Sequence, residues 1–365
     1  MVNRTIQVIL LVLVVSSTSL VAQQDSAFLL KEIEVNSTVL ESSAALSKIS
    51  INSSTLDNQN HQKLTELISQ NSLAFFKQYG YGNASTVSMR GLQDRHTKVL
   101  WNGLEINFLQ LGSIDFNILP AAAFSKVSIQ SGAMSALYGS GAIGGAILLE
   151  SNLKNQKEGV SGAVQLSFGS FKSSHTSAAA RIKGKKWSYG LSVFGGKSEN
   201  NFPILGTIKT LEHAAQTNSG VIQNIGFKLN GKNSFKLSSW HQQSFREISP
   251  GFNPADTLAD FTDENNRYVL TYKHLAKKFS ISALAGYTFD VLHYKNRLIN
   301  VDSRGTAQVF TQRAIFTYAF NEKLRIQAEG EARQEKATNV NYAQPETRQR
   351  YTTATKATYN PWSFY

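Results

Sequence analysis

Three glycines have the spacing of a nucleotide-binding loop. Gly139, Gly141 and Gly144 satisfy the pattern G-x-G-x-x-G. A dinucleotide site needs a strand before these glycines and a helix after them. Here residues 133–137 have a helical pattern and precede the glycines, while residues 146–149 resemble a strand and follow them. The order is reversed, so the pattern favours tight turns over a cofactor loop.

A second group that could do chemistry is acidic. Asp256, Asp260, Asp263 and Glu264 fall within a segment that we expect to be one long loop. Carboxylate oxygens in a loop could hold calcium, but the spacing is not that of an EF-hand. The pattern favours a solvated acidic loop and leaves calcium open.

Other catalytic and metal-binding patterns are missing from the sequence. There is no cysteine, which excludes Cys-ligated zinc, iron–sulfur clusters and a cysteine nucleophile. The seven histidines are isolated, and no G-x-S-x-G elbow occurs. We therefore expect no catalytic residue, no metal site and no cofactor, and no enzymatic activity.

Composition narrows the class of protein. The 365 residues carry 37 Lys and Arg against 25 Asp and Glu, yet only 17% are charged, and Gly, Phe and Tyr are abundant. Basic residues are scattered, apart from Lys183, Lys185 and Lys186 and the pair Lys277 and Lys278. Charge that is spread so diffusely does not form the continuous basic surface that binds a phosphate backbone, so we expect no nucleic-acid partner.

The N-terminus has the pattern of an export signal. Arg4 precedes an apolar stretch at 6–15, and small residues lead to Ala22. This order predicts a secretory signal peptide at 1–22, with an uncleaved anchor as the alternative. We expect residues 23–55 to be a polar linker.

The next segment, 56–153, mixes one helix with short strands. Leu64, Leu67 and Ile68 predict an amphipathic helix at about 61–70. Asn102 and Gly103 follow a strand-like run at 98–101 and predict a tight hairpin, because both residue types tolerate positive φ.

From 154 to 365 the pattern is long alternation of apolar and polar residues. Residues 279–291 and 324–333 are the longest examples, and about ten strands are predicted. Short turns alternate with long loops, expected at 198–219, 246–265, 296–305 and 338–348. A soluble sandwich also alternates, but unequal loops and an export signal favour a transmembrane β-barrel in the outer membrane.

Two ordered motifs identify a resemblance. Residues 85–91 end in Arg90-Gly91 and lead through Arg95 to the Asn102-Gly103 hairpin, and residues 135–147 contain Tyr138, Gly139, Gly141, Gly144 and Gly145. Together they resemble the plug domain of TonB-dependent outer-membrane receptors, over about residues 60–150. Within this family, the sequence of residues 96–103 and 111–116 most resembles that of cobalamin-receptor-like members. Where the family often carries glutamates and Arg-Gly-Pro, this chain has Ser125, Ser128 and Ser131.

The resemblance implies a function and partners. It implies import of a scarce nutrient, either cobalamin-like or a siderophore-like metal chelate, by an energised rearrangement of the plug. The TonB box, which pairs by strand addition with the periplasmic TonB complex, corresponds to Lys31, Glu32, Ile33, Glu34 and Val35. Outer-membrane lipid and a small-molecule ligand are the other expected partners. A passive porin or structural barrel is the alternative, and a soluble nucleotide enzyme is a third class.

Charge and length give two further expectations. Arg90, Arg95 and Lys98 are expected to face Glu329 and Glu331 in the barrel lumen, with ordinary solvated charge as the alternative. Ten strands close too tightly to hold a plug, whereas the family's barrel has about 22. The fold class is therefore an α+β plug followed by roughly half of an antiparallel barrel, in a truncated chain.

Overall fold

A computed structural model describes residues 47–52, 55–56, 63–79, 84–132, 138–151, 158–249, 259–321 and 323–359, all within one unit, Ser43–Tyr365. The predicted signal peptide, the segment 31–35 and Asp256 lie outside the described residues. The domain boundaries predicted from the sequence stay predictions.

The plug is built on a five-stranded sheet with strand order β1-β6-β7-β4-β5. Strands β4 and β7 run parallel, and the other neighbours are antiparallel. Strand β1 lies in the range predicted as linker, but it pairs with β6 along its whole length. The strand bounds are Ser47–Asn52 (β1), Thr97–Trp101 (β4), Leu104–Glu105 (β5), Lys126–Ser131 (β6) and Gly145–Glu150 (β7).

One helix and a small hairpin complete the plug. The helix α1, Leu64–Asn71, matches the predicted one, and Leu64, Leu67 and Ile68 are fully buried. Its last carbonyls are capped by side chains: Asn71 donates to the Leu67 carbonyl at 2.8 Å. Strands β2, Phe75–Gln78, and β3, Ser85–Ser88, form a separate antiparallel pair.

The hairpin predicted at Asn102 and Gly103 is present between β4 and β5. Both residues have positive φ, 48° and 89°, as a two-residue turn of this kind requires. The hairpin tip thereby brings Leu104, which is 1% exposed, back into the core.

Ten antiparallel strands form the second sheet, here called the wall, in sequence order from β8 to β17. Strand length rises from 11 residues in β8 to 19 in β15 and falls again to 14 in β17. The bounds are Gly159–Gly169 (β8), Ser173–Lys183 (β9), Trp187–Ser198 (β10), Gln216–Lys228 (β11), Asn233–Ile248 (β12), Ala259–Leu275 (β13), Phe279–Asn296 (β14), Val301–Ala319 (β15), Leu324–Thr338 (β16) and Glu346–Tyr359 (β17).

Alternation explains the two faces of the wall. In β12 the outward Phe235 and Leu237 are exposed, whereas Ser238 and Trp240 point toward the plug and are buried. An outward apolar face and an inward polar face are the arrangement of a membrane barrel. No helix within the described ranges is long and apolar enough to cross a bilayer.

The connections differ at the two ends of the wall. The short-turn end carries 184–186, 229–232, 276–278 and 320–323, close to the turns that the sequence predicts at 184–186, 230–233, 276–278 and 321–323. The long-loop end carries 199–215, 249–258 and 339–345. The loop expected at 246–265 is shorter than predicted, because β12 extends to Ile248 and β13 begins at Ala259. The long loop expected at 296–305 was wrong, because only four residues separate β14 from β15.

The acidic group is therefore not a loop cluster. Asp260, Asp263 and Glu264 are residues of β13. Asp260 accepts from Arg297 at 2.8 Å, and Asp263 lies 3.2 Å from Arg246. Acidic residues near the end of a long strand look like loop residues in the sequence, which is why the strand was underestimated. Ion pairing to arginine replaces the calcium hypothesis for these two carboxylates.

Candidate ligand site and plug–wall contacts

An aromatic seam joins the plug to the wall. Trp101 of β4 and Trp240 of β12 are both fully buried, with ring centroids 5.4 Å apart. Phe124 packs on Trp240 from the plug side at 5.6 Å, and the Arg267 guanidinium lies 4.4 Å from the same ring. The Trp101 indole N–H donates to Ser151 Oγ at 3.0 Å. Because these rings are shared, the plug and the wall bury one common core.

A cluster of charges surrounds Glu105 on the plug. Its carboxylate accepts from Lys98 at 2.9 Å, pairs with Arg333 of β16, and lies 4.0 Å from Arg350 of β17. Burial alone would raise the pKa of the Glu105 carboxyl. The nearby charges of Arg333, Lys98 and Arg350 outweigh that effect and hold the pKa below its usual value. Glu335 continues the cluster along the wall by pairing with Arg350 at 2.9 Å.

A second carboxylate of the plug contacts the wall closer to the long-loop end. Asp115 pairs with Arg246 of β12, and Asp263 of the wall contacts the same guanidinium nitrogen at 3.2 Å. Asp115 also accepts from the backbone N–H groups of Ser85 and Asn117, at 2.8 and 2.9 Å. These bonds fix both the carboxylate and the plug loop that carries it.

The signs of these pairs are the reverse of the expected ones. Lys98 pairs with Glu105 and donates to the Tyr138 carbonyl at 2.6 Å, while Glu329 lies 3.8 Å from Arg313 of the wall itself. The acids thus belong to the plug and the arginines to the wall. The sequence carries no signal for this, since Glu105 and Asp115 look like ordinary loop and hairpin residues.

Hydrogen bonds to uncharged acceptors add to the attachment. Arg313 donates to the Gly103 carbonyl at 2.8 Å, and Asn102 donates to Ser238 Oγ at 3.2 Å. At the long-loop end, Gln110 donates to the Thr338 carbonyl at 2.9 Å, and Asn218 donates to the Ile118 carbonyl at 3.0 Å. The predicted hairpin residues Asn102 and Gly103 are therefore wall contacts as well as turn residues.

Three plug loops converge around Arg95. A β-carbon at Gly112 would lie 3.3 Å from Arg95 Cβ, and one at Gly141 would lie 3.6 Å from the Arg95 carbonyl. Arg90 and Gly91 form the preceding turn, with φ of 53° and 73°. Arg90 and Arg95 are both exposed, so two guanidinium groups are accessible on this part of the plug.

The remaining motif glycines serve close packing. Gly145 has φ of 152°, and a β-carbon there would lie 2.4 Å from the Gln130 carbonyl. A β-carbon at Gly144 would lie 3.1 Å from the His96 carbonyl, and one at Gly139 would lie 3.7 Å from the Thr352 side chain of β17. The strand β7 follows them, which is not the geometry of a dinucleotide site. Tight turns were expected from the spacing, and Gly139 and Gly141 do have positive φ, 74° and 92°. Gly144 and Gly145 instead allow close approach to neighbouring backbone carbonyls.

Tyr138 stands beside these glycines and is closely held. Its hydroxyl donates to Gln130 Oε1 at 3.0 Å. Removal from water raises the pKa of the Tyr138 phenol to about 12, so the hydroxyl stays protonated and remains a donor.

A cavity of about 150 Å³ lies between plug residues 116–121 and the long-loop halves of β8 to β12. Its basic lining comes from Lys63, His175 and Lys197, together with the paired Arg246. Gly196 leaves room for the imidazole, because a β-carbon there would lie 2.5 Å from His175 Nδ1. Among the residues that the structure covers, no group of three His, Asp or Glu is arranged to hold a metal.

Comparison with known proteins agrees with this architecture. The TonB-dependent Receptor Plug Domain family matches residues 40–146. The vitamin B12 transporter BtuB of Photobacterium profundum is 43% identical over 68 residues, which is 19% of this chain and 11% of that protein. BtuB of Vibrio vulnificus is 35% identical over 80 residues, covering 22% and 13%.

Solved structures extend the likeness to the wall. The copper transporter OprC superimposes with a TM-score of 0.70 at 12% identity, over 86% of this chain and 53% of that one. A mutant form of the ferric enterobactin receptor PfeA from Pseudomonas aeruginosa gives 0.70 at 13% identity, over 88% and 56%. The chain thus spans about half the length of these receptors. Residues 40–146 belong to the plug domains of TonB-dependent receptors, and the ten strands that follow share the fold of the barrels of such receptors.

Proposed function

We propose that this protein is an outer-membrane receptor that imports a scarce nutrient, energised by the periplasmic TonB complex. The observation that carries the proposal is the plug seated against the inward face of the wall through ion pairs at Glu105 and Asp115. A solute can cross the membrane through a barrel that holds such a plug only if the plug moves. Ion pairs and single hydrogen bonds are contacts that can break and reform, which suits a movable plug.

The site suggests a ligand with anionic groups. Arg90 and Arg95 are exposed where the plug loops converge, and Lys63, His175 and Lys197 line the cavity between the plug and β8 to β12. Carboxylates or phosphates of a cobalamin-like or siderophore-like metal chelate would suit these groups. The long-loop end would face the exterior, as in outer-membrane barrels. The matches to vitamin B12 transporters over the plug support this class of ligand.

Energy coupling would reach the plug through its N-terminal segment. Residues 31–35 would pair with the transducer by strand addition. The signal peptide at 1–22 would direct export to the outer membrane. Deleting residues 31–35 from the full-length protein should abolish uptake of radiolabelled ligand while leaving its binding to cells intact. Uptake at the wild-type rate would instead favour a passive porin.

A reversible crosslink tests plug movement. The sequence has no cysteine, so Gly139→Cys with Thr352→Cys would introduce a single thiol pair. A β-carbon at 139 lies 3.7 Å from two Thr352 side-chain atoms, which is within reach of a disulfide. Oxidation should stop uptake and reduction should restore it, whereas each single-cysteine variant should be insensitive to the oxidant. Unchanged uptake by the fully crosslinked protein would contradict the proposal.

A further inference from the structure

The short-turn end of the wall concentrates positive charge. The turns 184–186, 229–232, 276–278 and 320–323 contain six lysines and a single acid, Glu322. All six lysines are exposed. They are far apart in the sequence but lie along one edge, because every second connection of an antiparallel sheet falls at the same end. The six are Lys185, Lys186, Lys232, Lys277, Lys278 and Lys323.

Charges at the long-loop end are arranged differently. There Lys172 pairs with Glu199 at 2.7 Å, and Arg297 pairs with Asp260 at 2.8 Å. Lys295 lies 3.9 Å from Asp302. Lys172, Lys295 and Arg297 at that end thus meet acids of the same chain, whereas the short turns contain six lysines with one glutamate among them.

A row of aromatic side chains borders the lysines. Trp187 lies opposite Phe227, Phe227 opposite Phe235, and Phe235 opposite Tyr272 in the registers of β10 to β13. Directly opposed residues share one face, and Trp187, Phe227 and Phe235 are 50%, 45% and 41% exposed on it. Aromatic rows on the lipid face of a barrel lie at the level of the headgroups. Lys185, Lys186 and Lys232 lie one to three residues beyond this row, and Lys277 and Lys278 directly precede Phe279, which lies opposite Tyr318. These lysines therefore lie among the headgroups or just outside them.

We propose that this lysine edge binds the anionic headgroups of phospholipids in the leaflet at the short-turn end. The inference rests on the membrane placement in the proposed function, but not on transport. Successive turns are two strands apart, about 10 Å, so the lysines form an arc rather than a pocket. An arc of mobile ammonium groups beside an aromatic row suits many fluid phosphates better than one compact ligand. Each such lysine near an anionic surface is worth about 1 kcal/mol, or roughly a fivefold change in affinity.

Trp187 provides a local reporter. It is half exposed and adjoins Lys186, whereas Trp101 and Trp240 are fully buried between plug and wall. The full-length protein, with Trp362 and any tryptophan outside residues 1–365 replaced by Phe, would be reconstituted in vesicles that contain brominated phosphatidylglycerol or brominated phosphatidylcholine. Quenching of Trp187 fluorescence then gives the relative binding constant of the two lipids.

We expect phosphatidylglycerol to bind at least about fivefold more strongly at low salt, with the preference reduced in 1 M salt, where screening is strong. The quadruple variant Lys185→Gln, Lys186→Gln, Lys277→Gln and Lys278→Gln should bring the ratio close to one, and the matching Lys→Arg variant should keep it. A matched control removes four lysines from the long-loop half: Lys172→Gln, Lys209→Gln, Lys295→Gln and Lys336→Gln.

The outcomes separate this inference from the proposed function. Equal quenching by both lipids in the wild type, or a preference that survives the Lys→Gln changes, would overturn the lipid proposal alone. A loss of preference in the control quadruple would also overturn it, because net charge would then be the cause. If neither brominated lipid quenches Trp187, the wall does not lie in the bilayer, and the membrane placement in the proposed function fails as well.

Discussion

Glu105→Gln is the substitution that should most weaken the seating of the plug. It removes the one negative charge that Lys98, Arg333 and Arg350 share, and it is nearly isosteric. The Lys98–Glu105 distance of 2.9 Å corresponds to about 6 kcal/mol of Coulomb attraction at an effective dielectric constant of about 20. Desolvation of the groups offsets part of this. Removing one partner of a buried pair costs about 3–5 kcal/mol, and the 17% exposure of the Glu105 side chain places the cost near ~3 kcal/mol.

The assay is urea unfolding followed by tryptophan fluorescence in detergent micelles. Trp101 and Trp240 contact each other across the plug–wall boundary, so their emission shifts to longer wavelength when the plug leaves the wall. With a urea dependence of about 2 kcal/mol per M, Glu105→Gln should lower the midpoint by about 1.5 M. The control is Glu199→Gln, which breaks the exposed pair with Lys172 and should cost less than about 1 kcal/mol.

A double-mutant cycle isolates the pair itself. Glu105→Gln combined with Arg333→Gln should cost clearly less than the sum of the two single changes, because either single change already removes the whole Glu105–Arg333 attraction. Arg333 keeps Glu335 and Glu105 keeps Lys98 in the single variants, so the cycle reports on this one pair. Strict additivity, or a midpoint for Glu105→Gln no lower than that of Glu199→Gln, would refute the reasoning.

Three other expected outcomes follow from geometry and charge. The folded-state pKa of Glu105 is below its usual value of 4.5. The stabilisation that its charge provides is therefore present above about pH 4.5 and is lost as the pH falls through the lower folded value. The urea midpoint of the wild type should drop more between pH 7 and pH 3 than that of Glu105→Gln. Gly145→Ala should cost about 2–4 kcal/mol of unfolding free energy in the same titration, because residue 145 has φ of 152° and the new methyl group would lie 2.4 Å from a backbone carbonyl. Gly91→Ala is the control: residue 91 has φ of 73° but faces open space, so the change should cost only about 1 kcal/mol. Gly286→Val would collide with Leu104 and should destabilise the fold by about 1–3 kcal/mol; faster cleavage of the plug by added protease would be the independent check, and an unchanged rate would contradict the packing described.

One helix, one turn and several strands could be predicted from residues that are close together in the sequence. Leu64, Leu67 and Ile68 specify the helix because they form one buried stripe at helical spacing. Asn102 and Gly103 specify the hairpin because both adopt positive φ. Alternation specifies the strands of the wall, since each has one face toward lipid and one toward the plug. These signals lie within a few residues of one another, so no knowledge of the tertiary fold is needed to read them.

Long-range contacts were not accessible in this way. Asp260 and Asp263 look like loop residues until the arginines that neutralise them are known. Glu105 and Asp115 are the plug acids that pair with the wall because arginines of the wall face them. Which wall residues face them is set by the register of the wall strands, and the sequence does not reveal that register. The short-turn lysines are scattered singly or in pairs, and only the up-and-down topology gathers them on one edge. The assignment of residues 31–35 to the transducer remains a prediction.

The unequal lengths of the wall strands have a consequence for the rim at the long-loop end. Strand β15 is eight residues longer than β8, by 19 to 11, which is about 26 Å along the strand and about 20 Å in height at a tilt near 40°. Since the short turns share one edge, the whole difference appears at the opposite edge as a step. The paired strands are therefore lowest over β8 to β10, and the connection 199–215 emerges at that low side. Its Phe202 packs on Phe171 of the β8–β9 turn at 5.5 Å, so on this side the wall is continued by a loop held by side chains instead of by paired strands.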